Sequence, residues 1–353
     1  MIDYIIVGAG LSGIAVAEEL LKAGKKIKVY ENHSQASSTV AGGIYNPVIL
    51  KRFTLAWKAD EQLEIALPFY KELEEKLNIS IVQPMPIYRR FNSIEEQNNW
   101  FEATDKPSTG KFLDPNLVSS INSCIPSDHS FGKVNHTGII NTELLLSHFR
   151  HYLLSFKGIE KEEFEHDLLH IREEGCEYKG IHAKGIIFCE GYGMKKNPFF
   201  NCLPLHGNKG EYIIIKAEKL KLEVAVKSSV FILPLGNDHY KVGATYDNKD
   251  TSAQPTENSK EYLLDKLKAF LKCDFEVVNQ VAGIRPATPD RKPLVGEHPN
   301  YKNVYCCNGF GSRGVLIAPT IAKQLVKNLL EAEILPDEIN INRYQSYFPS
   351  LSS

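Results

Sequence analysis

Gly8-Ala9-Gly10-Leu11-Ser12-Gly13 spells G-x-G-x-x-G near the start of the chain. An apolar run, Tyr4 to Val7, precedes it, and Ile14, Ala17 and Leu21 follow at helical spacing. In that strand–loop–helix context each glycine has a task. Gly8 permits the tight turn, Gly10 lets backbone approach a pyrophosphate, and Gly13 allows close helix–strand packing. The helix N-terminus, with free N–H groups and the positive dipole end, suits phosphate. Leu11 and Ser12 ride on the same turn. Glu31 closes the second strand, Ile27 to Tyr30, at about 20 residues' spacing, where its carboxylate can accept from both adenosine ribose hydroxyls. It would repel a 2′-phosphate. The pattern points to a bound dinucleotide and against NADP; FAD and NAD both fit it.

A second cluster suits a flat ligand. Ser37 to Asn46 reads SSTVAGGIYN, and small residues there let backbone approach a ring closely.

The elements that must position these groups follow a mixed pattern. Lys22 and Gly24 end the first helix. A helix is expected over 58–77. Residues 84–138, with Pro84, Pro86, Pro107, Pro115 and Pro126, read as irregular. Asn141 is a candidate N-cap for a helix to about Leu154. Residues 185–189 form an apolar strand ending in Glu190-Gly191-Tyr192-Gly193. EYIIIK, SVFILPL and HYKVGATY alternate as a sheet with a turn at Asn237-Asp238. An amphipathic helix over 256–272, a strand at 304–307, the loop NGFGSRG and a helix over 315–330 complete the chain. Dinucleotide elements lie at both ends and in the middle, with the antiparallel sheet between them. The expected fold class is α/β: a discontinuous Rossmann-type domain, 1–83, 139–205 and 275–353, with an inserted mixed or antiparallel substrate domain, 84–138 and 206–274.

The chain has 353 residues, 43% hydrophobic and 24% charged, with a formal net charge of −2. That size favours two domains, and the charge gives no bulk attraction to nucleic acid. The N-terminus reads as a strand rather than a signal peptide, and no run approaches the ~20 apolar residues of a membrane span. Seven cysteines without a CxxC pair read as reduced thiols in a cytoplasmic protein. His166 and His170, four apart, read as strand residues, so no metal site is expected. Oligomeric state is not readable.

Gly283 to Leu325, GIRPATPDRKPLVGEHPNYKNVYCCNGFGSRGVLIAPTIAKQL, resembles the D-amino-acid oxidase superfamily of flavoproteins, and glycine oxidase within it. The likeness extends through G-x-G-x-x-G, SSTVAGGI, GIIFCEG, LPLHGNKGEY and VGATY. Thr288-Pro289-Asp290-Arg291-Lys292-Pro293-Leu294-Val295-Gly296 and Gly311-Ser312-Arg313-Gly314 also look like the FAD module of the bifunctional enzymes that make 5-methylaminomethyl-2-thiouridine in tRNA. The likeness covers that module and not their methyltransferase half.

The resemblance implies FAD, bound non-covalently, since the cysteine that tethers flavin in some sarcosine-oxidase relatives is missing from GIRPATPD. It implies that Ser38, Thr39, Ala41, Gly42 and Gly43 wrap the pyrophosphate and isoalloxazine, and that Gly191 and Gly193 close the adenosine side. Gly309, Gly311, Ser312, Arg313, Gly314 and Val315 would pass under the pyrimidine edge, the following helix stabilising anionic reduced flavin. Arg285 matches a carboxylate-binding arginine, and a guanidinium can grip a carboxylate through two parallel hydrogen bonds. The alternative is an ion pair with Asp290 or Glu297. Tyr246 is expected on a strand lining the cavity, either contacting substrate or filling core. Arg313 either neutralises reduced flavin or contacts substrate or tRNA. Phe231 stands where glycine oxidase has tyrosine.

The implied reaction is oxidation of the C–N bond of a small amino acid or N-substituted glycine by hydride transfer to flavin N5, with O2 or another acceptor. The alternative is a tRNA wobble-uridine oxidoreductase acting on a carboxymethylaminomethyl group. Both substrates present an amine beside a CH2-carboxylate.

Overall fold

The computed structural model describes residues 2–349. Residues 350–353 of the expected last segment lie outside it. β1 (Ile2–Val7) runs into α1 (Leu11–Lys22) and β2 (Ile27–Tyr30). Gly24, at φ +69°, takes the left-handed turn after α1. The short α2 (Ser37–Val40) and the long α3 (Ala59–Leu77) follow. The stretch expected to be irregular is more regular than its prolines suggest. It holds β3 (Ile87–Arg90), a helix over Ile94–Thr104 capped by Ser93, and β4 (Phe131–Val134). Its Phe91 and Trp100 pack edge-on against each other and against Phe53 from the preceding segment.

α4 (Thr142–Ser155) is capped by Asn141, whose side chain accepts from Leu144 N at 3.0 Å. Then come β5 (Ile159–Glu160), β6 (Leu169–Arg172), β7 (Gly175–Tyr178), β8 (Ile181–Phe188), β9 (His206–Lys216), β10 (Ala225–Lys227), β11 (Phe231–Gly236) and β12 (His239–Gly243). Asn237 and Asp238 both have positive φ, the requirement of a two-residue hairpin turn. α5 (Glu257–Lys268), β13 (Glu276–Ala287), β14 (Leu294–His298), β15 (Tyr301–Asn308) and α6 (Gly314–Glu331) complete the order.

The first sheet has eight strands, in the order β5-β2-β1-β8-β7-β6, with β15 also on β8 and β14 on β15. β5, β2, β1, β8 and β15 run parallel. β7 takes the first half of one edge of β8 and β15 the second half. α1, α3 and α6 pack together in the apolar core beside this sheet. The second sheet has seven strands, ordered β13-β9-β12-β11-β10-β3-β4, antiparallel except for β10 beside β3. β13 pairs with β9 from Ala287 to Glu276. Residues 276–287 therefore go with the second sheet, and a domain boundary at 275 cuts ahead of a strand that cannot leave it.

Alternation settles which side chains share a face. One face of the second sheet, carrying Ile213, Ile215, Val226, Ile232 and Val242, is sealed by α5 through Leu263 and Leu267. The opposite face carries a row across six strands: Tyr212, Gly243, Phe231, Lys227, Arg89 and Gly132. Asn208 with Arg285, and Ile214 with Lys241 and Leu233, share it. This front face meets α2. A Cβ on Gly283 would lie 3.1 Å from Ser37 Cα, and one on Gly42 would lie 2.8 Å from Leu233. Among the described residues no helix is long and apolar enough to cross a membrane.

Candidate active site

The glycine loop leaves β1 beside Cys189. Gly8 sits at φ +97°, and a Cβ there would stand 2.6 Å from the Cys189 carbonyl oxygen. A Cβ on Gly13 would collide with the Gly8 carbonyl. Backbone proximity alone demands these two glycines. Gly10 differs: its Cβ would meet only Ser38 Oγ, at 3.2 Å. Its open side faces α2. Gly10 caps α1 without a side-chain bond, and Leu11 N donates to Ser38 Oγ at 3.2 Å. Leu11 N is thereby taken, whereas the N–H groups of Ser12 and Gly13 make no hydrogen bond among the described residues and are available to an anion. The Ser12 hydroxyl turns the other way and donates to the Cys307 carbonyl at 2.7 Å, tying the loop to β15.

Glu31 is buried and accepts from Ala9 N at 2.5 Å and His33 N at 2.6 Å. Arg150, on α4, reaches the same place. Its Nη2 donates to the Ala9 carbonyl at 2.9 Å and lies 3.6 Å from Glu31, and its buried Nε has no partner among the described residues. Nothing in the sequence marks Arg150, one polar residue on an amphipathic helix.

In the SSTVAGG segment, Thr39 Oγ1 donates to the Ala36 carbonyl at 2.9 Å and Ala41 N to the Ser37 carbonyl at 3.1 Å. Gly43, at φ +65°, passes against the Ile140 carbonyl. Lys241 Nζ donates to the carbonyls of Val40 and Ala41, both at 3.2 Å. Burial holds that lysine below its ordinary pKa, with Glu143 opposing. Residue type does not flag Lys241 either, although its two-residue offset from Gly243 puts both on one face.

Gly191 has open space around a would-be Cβ, and its carbonyl accepts from Asn308 at 2.8 Å. Gly193 lies beside Gln35. Gly309 packs on Thr288 and Leu294, while Gly311 faces open space and its N–H donates to the Pro286 carbonyl at 2.9 Å. Gly314 opens α6, and its Cβ would stand 3.3 Å from Leu11, so the N-termini of α1 and α6 converge. Val315 accepts from the buried Tyr70 hydroxyl at 2.8 Å, and Ser312 is exposed. Arg313 caps α6, and its Nη1 donates to the Asn46 carbonyl at 2.8 Å. Burial pulls its pKa down; Tyr246 opposes that shift and Arg291 adds to it.

Arg285 lies on the front face of β13. Its Nη1 donates to Asn208 Oδ1 at 2.8 Å and to the Thr245 carbonyl at 3.2 Å. Among the described residues it pairs with no carboxylate. Asp290 is taken by Arg343 at 3.0 Å, and Glu297 accepts from Asn303 N at 2.7 Å. The ion-pair alternative is therefore not what the structure contains. The Nε–Nη2 edge has no protein hydrogen bond among the described residues. Gly210 makes room for the guanidinium, since a Cβ there would collide with it. Tyr246 is not on a strand, because β12 ends at Gly243. It is not core either: it is 72% exposed, with its ring over the Arg285 guanidinium at 4.5 Å.

Arg285, Tyr246 and Arg313 thus come together, α2 lies against the same sheet face, and the glycine loop meets the start of α6 where Gly314 approaches Leu11. Two free helix N-termini, a buried ribose-type acceptor and a cradle of glycines fit a flavin dinucleotide. His166 is engaged otherwise, bonded to Glu190 at 3.0 Å.

The chain is 24% identical over 377 residues to the tRNA 5-methylaminomethyl-2-thiouridine biosynthesis bifunctional protein MnmC of Legionella pneumophila (strain Lens), covering 94% of this chain and 54% of that protein. It thus spans about half the length of that relative. It is 21% identical to glycine oxidase of Bacillus subtilis, covering 97% and 96% of the two chains. Among solved structures, glycine oxidase from Geobacillus kaustophilus superposes with a TM-score of 0.79 at 20% identity over 95% of both chains. L-proline dehydrogenase from P. horikoshii gives 0.79 at 14% identity over 98% of both. The family described as FAD dependent oxidoreductase matches residues 3–328. The chain belongs to this DAO family of FAD-dependent oxidoreductases.

Proposed function

We propose that this chain oxidises the carbon–nitrogen bond of a small amino acid or N-substituted glycine whose carboxylate is held by Arg285. One observation carries the reading: Arg285 offers an Nε–Nη2 edge without a partner among the described residues, on the sheet face that meets the flavin-side segment. A half-buried arginine without an acid partner is costly unless a ligand supplies the charge. When bound, FAD supplies the hydride acceptor at N5. Arg285 binds the carboxylate and so fixes where the substrate's α-carbon lies. Asn208 and Thr245 hold the guanidinium in plane, and Tyr246 covers it. Phe231, Tyr212 and Gly243 form an apolar wall opposite the flavin segment, suited to excluding water. Arg313 and the α6 N-terminus would supply positive charge favouring the anionic form of a reduced flavin.

A second reading, oxidation of a carboxymethylaminomethyl group on a tRNA wobble uridine, draws on one further feature. The exposed Tyr246 ring lies near Arg313, which also has Arg291 close by, and the Arg291 side chain makes no hydrogen bond among the described residues. An aromatic face beside cations suits a stacked base.

The test is anaerobic reduction of the bound flavin. Glycine, sarcosine, D-alanine and D-proline are mixed separately with the enzyme, alongside tRNA carrying the modified uridine. Bleaching by a free amine supports the first reading; bleaching by tRNA alone supports the second. A flavin untouched by all five ends both.

A further inference from the structure

One buried charge stands outside the proposed chemistry. The Lys209 side chain is 1% exposed, yet it lies within β9 rather than at its end. A buried ammonium is expensive unless paired and hydrogen-bonded. Lys209 has a full set of partners: Asp250 Oδ2 at 2.5 Å, the Gln254 carbonyl at 2.5 Å, Ser252 Oγ at 3.3 Å and Glu211 Oε1 at 3.4 Å. Three of the four belong to one segment, residues 244–256, which joins β12 to α5.

That segment is a strap. It is exposed over most of its length, so few apolar contacts hold it. Its backbone returns to β9 at two points. Lys209 N donates to the Asp247 carbonyl at 2.7 Å and Asp247 N to the Lys209 carbonyl at 3.0 Å; Thr245 N donates to the Glu211 carbonyl at 3.1 Å. Glu211, also 1% exposed, accepts from Thr256 N and Thr256 Oγ1 at 2.8 and 2.9 Å, closing the far end.

Strand alternation connects this to the site. Lys209 and Glu211 point to the rear of β9, while Asn208 and Gly210 point to the front, beneath Arg285. The strap wraps from rear to front and delivers two contacts there. The Thr245 carbonyl accepts from Arg285, and the Tyr246 ring covers its guanidinium.

We propose that Lys209 is a positioning residue for substrate carboxylate recognition. By holding Asp250, Ser252 and Gln254 from behind, it fixes Thr245 and Tyr246 against Arg285 and so orients the free edge of the guanidinium. It touches neither substrate nor flavin. The proposal rests on Arg285 being the carboxylate anchor.

The test uses the FAD-loaded enzyme with Lys209→Met, Asp250→Asn, Asp250→Glu and Arg285→Ala. The Asp250 side chain is 33% exposed, so Asp250→Asn keeps the question open should Lys209→Met not fold. Acetate, a bare carboxylate, is titrated against the visible flavin spectrum. KM and kcat are measured with whichever of glycine or sarcosine reduces the wild type, and trypsin cleavage after the exposed Lys249 reports strap release. Lys209→Met and Asp250→Asn are expected to weaken acetate about tenfold, the size of one net hydrogen bond. KM rises in parallel, kcat holds, Lys249 is cut faster, and Asp250→Glu behaves as wild type. Wild-type acetate affinity in both folded variants, while Arg285→Ala still weakens it, overturns the role of Lys209. Unchanged acetate affinity in Arg285→Ala removes the anchor itself, and the proposal with it.

Discussion

The Arg285 guanidinium carbon lies 4.5 Å from the centroid of the Tyr246 ring, although the two residues are held by different elements. Arg285 is fixed in β13, whereas Tyr246 lies past the end of β12 in a segment with no regular structure. Tyr246 is 72% exposed, so the ring stacks on the cation at the protein surface, not in the core. A cation–aromatic contact at such a site contributes about 0.5–1 kcal/mol. The contact orients a charge that has no acid partner among the described residues.

Arg285→Ala removes the charge while leaving the glycine loop, Glu31 and α6 untouched. Loss of a charged hydrogen-bond pair corresponds to about 1.5–3 kcal/mol of substrate binding. The expected result is a KM raised ten- to roughly hundredfold, with flavin content at wild-type level. Arg285→Lys does not restore it, because a point charge cannot match the planar edge. Wild-type KM in Arg285→Ala takes Arg285 out of the site.

Gly210→Ala tests the same edge without deleting it. The new methyl would occupy the space of the guanidinium, whose three nearest atoms all lie within 2.5 Å of it. Gly210 is not in the left-handed region, so backbone strain does not confound the result. The Arg285 side chain must swing off Asn208 and Thr245. KM should rise toward that of Arg285→Ala, with the thermal midpoint little changed. Unaltered kinetics in the Gly210→Ala enzyme would show that the guanidinium position is not critical.

Glu31→Gln addresses the cofactor end. The carboxylate accepts two backbone N–H groups from the loop that must receive the pyrophosphate and from the turn after β2, and Arg150 stands 3.6 Å away. An amide keeps the shape but loses charge-assisted acceptance and leaves Arg150 without its nearby acid. FAD affinity is expected to fall by at least about tenfold, read from apoenzyme titration by flavin fluorescence quenching. Substrate KM in the saturated enzyme stays near wild type. Undiminished FAD binding would show that Glu31 serves only the loop.

What is legible in the sequence is local. The G-x-G-x-x-G turn, its Glu31, the Asn141 cap and the Asn237-Asp238 hairpin each depend on a few adjacent residues, and the structure has all four. What depends on distant pairing is not legible. Sequence alone groups β13 with the flanking dinucleotide elements, because nothing in residues 276–287 announces the register with residues 206–216. It also extends the strand HYKVG to Tyr246, because alternation continues past Gly243, but Thr245 and Asp247 turn back onto β9. The prolines of 84–138 hide two strands and a helix, since each proline falls at an end or between elements where its missing N–H does no harm. Arg150 and Lys241 show the remaining gap. Each is placed by a carbonyl far away in the chain, so neither spacing nor type marks it.

Lys227 gives a pH dependence whose sign is fixed by the fold. It lies in the front-face row beside Arg89, with its ammonium 5.0 Å from the centroid of the Phe231 ring and bonded to the Ser229 carbonyl at 3.0 Å. Burial, followed by repulsion from Arg89, pulls its pKa from 10.5 to about 8; Glu96, already bonded to Arg89, offsets part of this. Below pH 8 the lysine is charged in both the folded and unfolded chain, and the folded state bears the full cost of burying it. Between about 8 and 10.5 the unfolded chain binds more protons than the folded one, so this residue's contribution to stability becomes more favourable as pH rises. Lys227→Met keeps the length of the side chain and removes the charge. The variant is expected to be more stable than wild type at about pH 7, with the difference shrinking through that window. Chemical denaturation of both proteins at about pH 7 and about pH 9.5, either side of the folded-state value, measures it. A difference that stays constant, or that widens with pH, would place the Lys227 ammonium in water and not against the sheet.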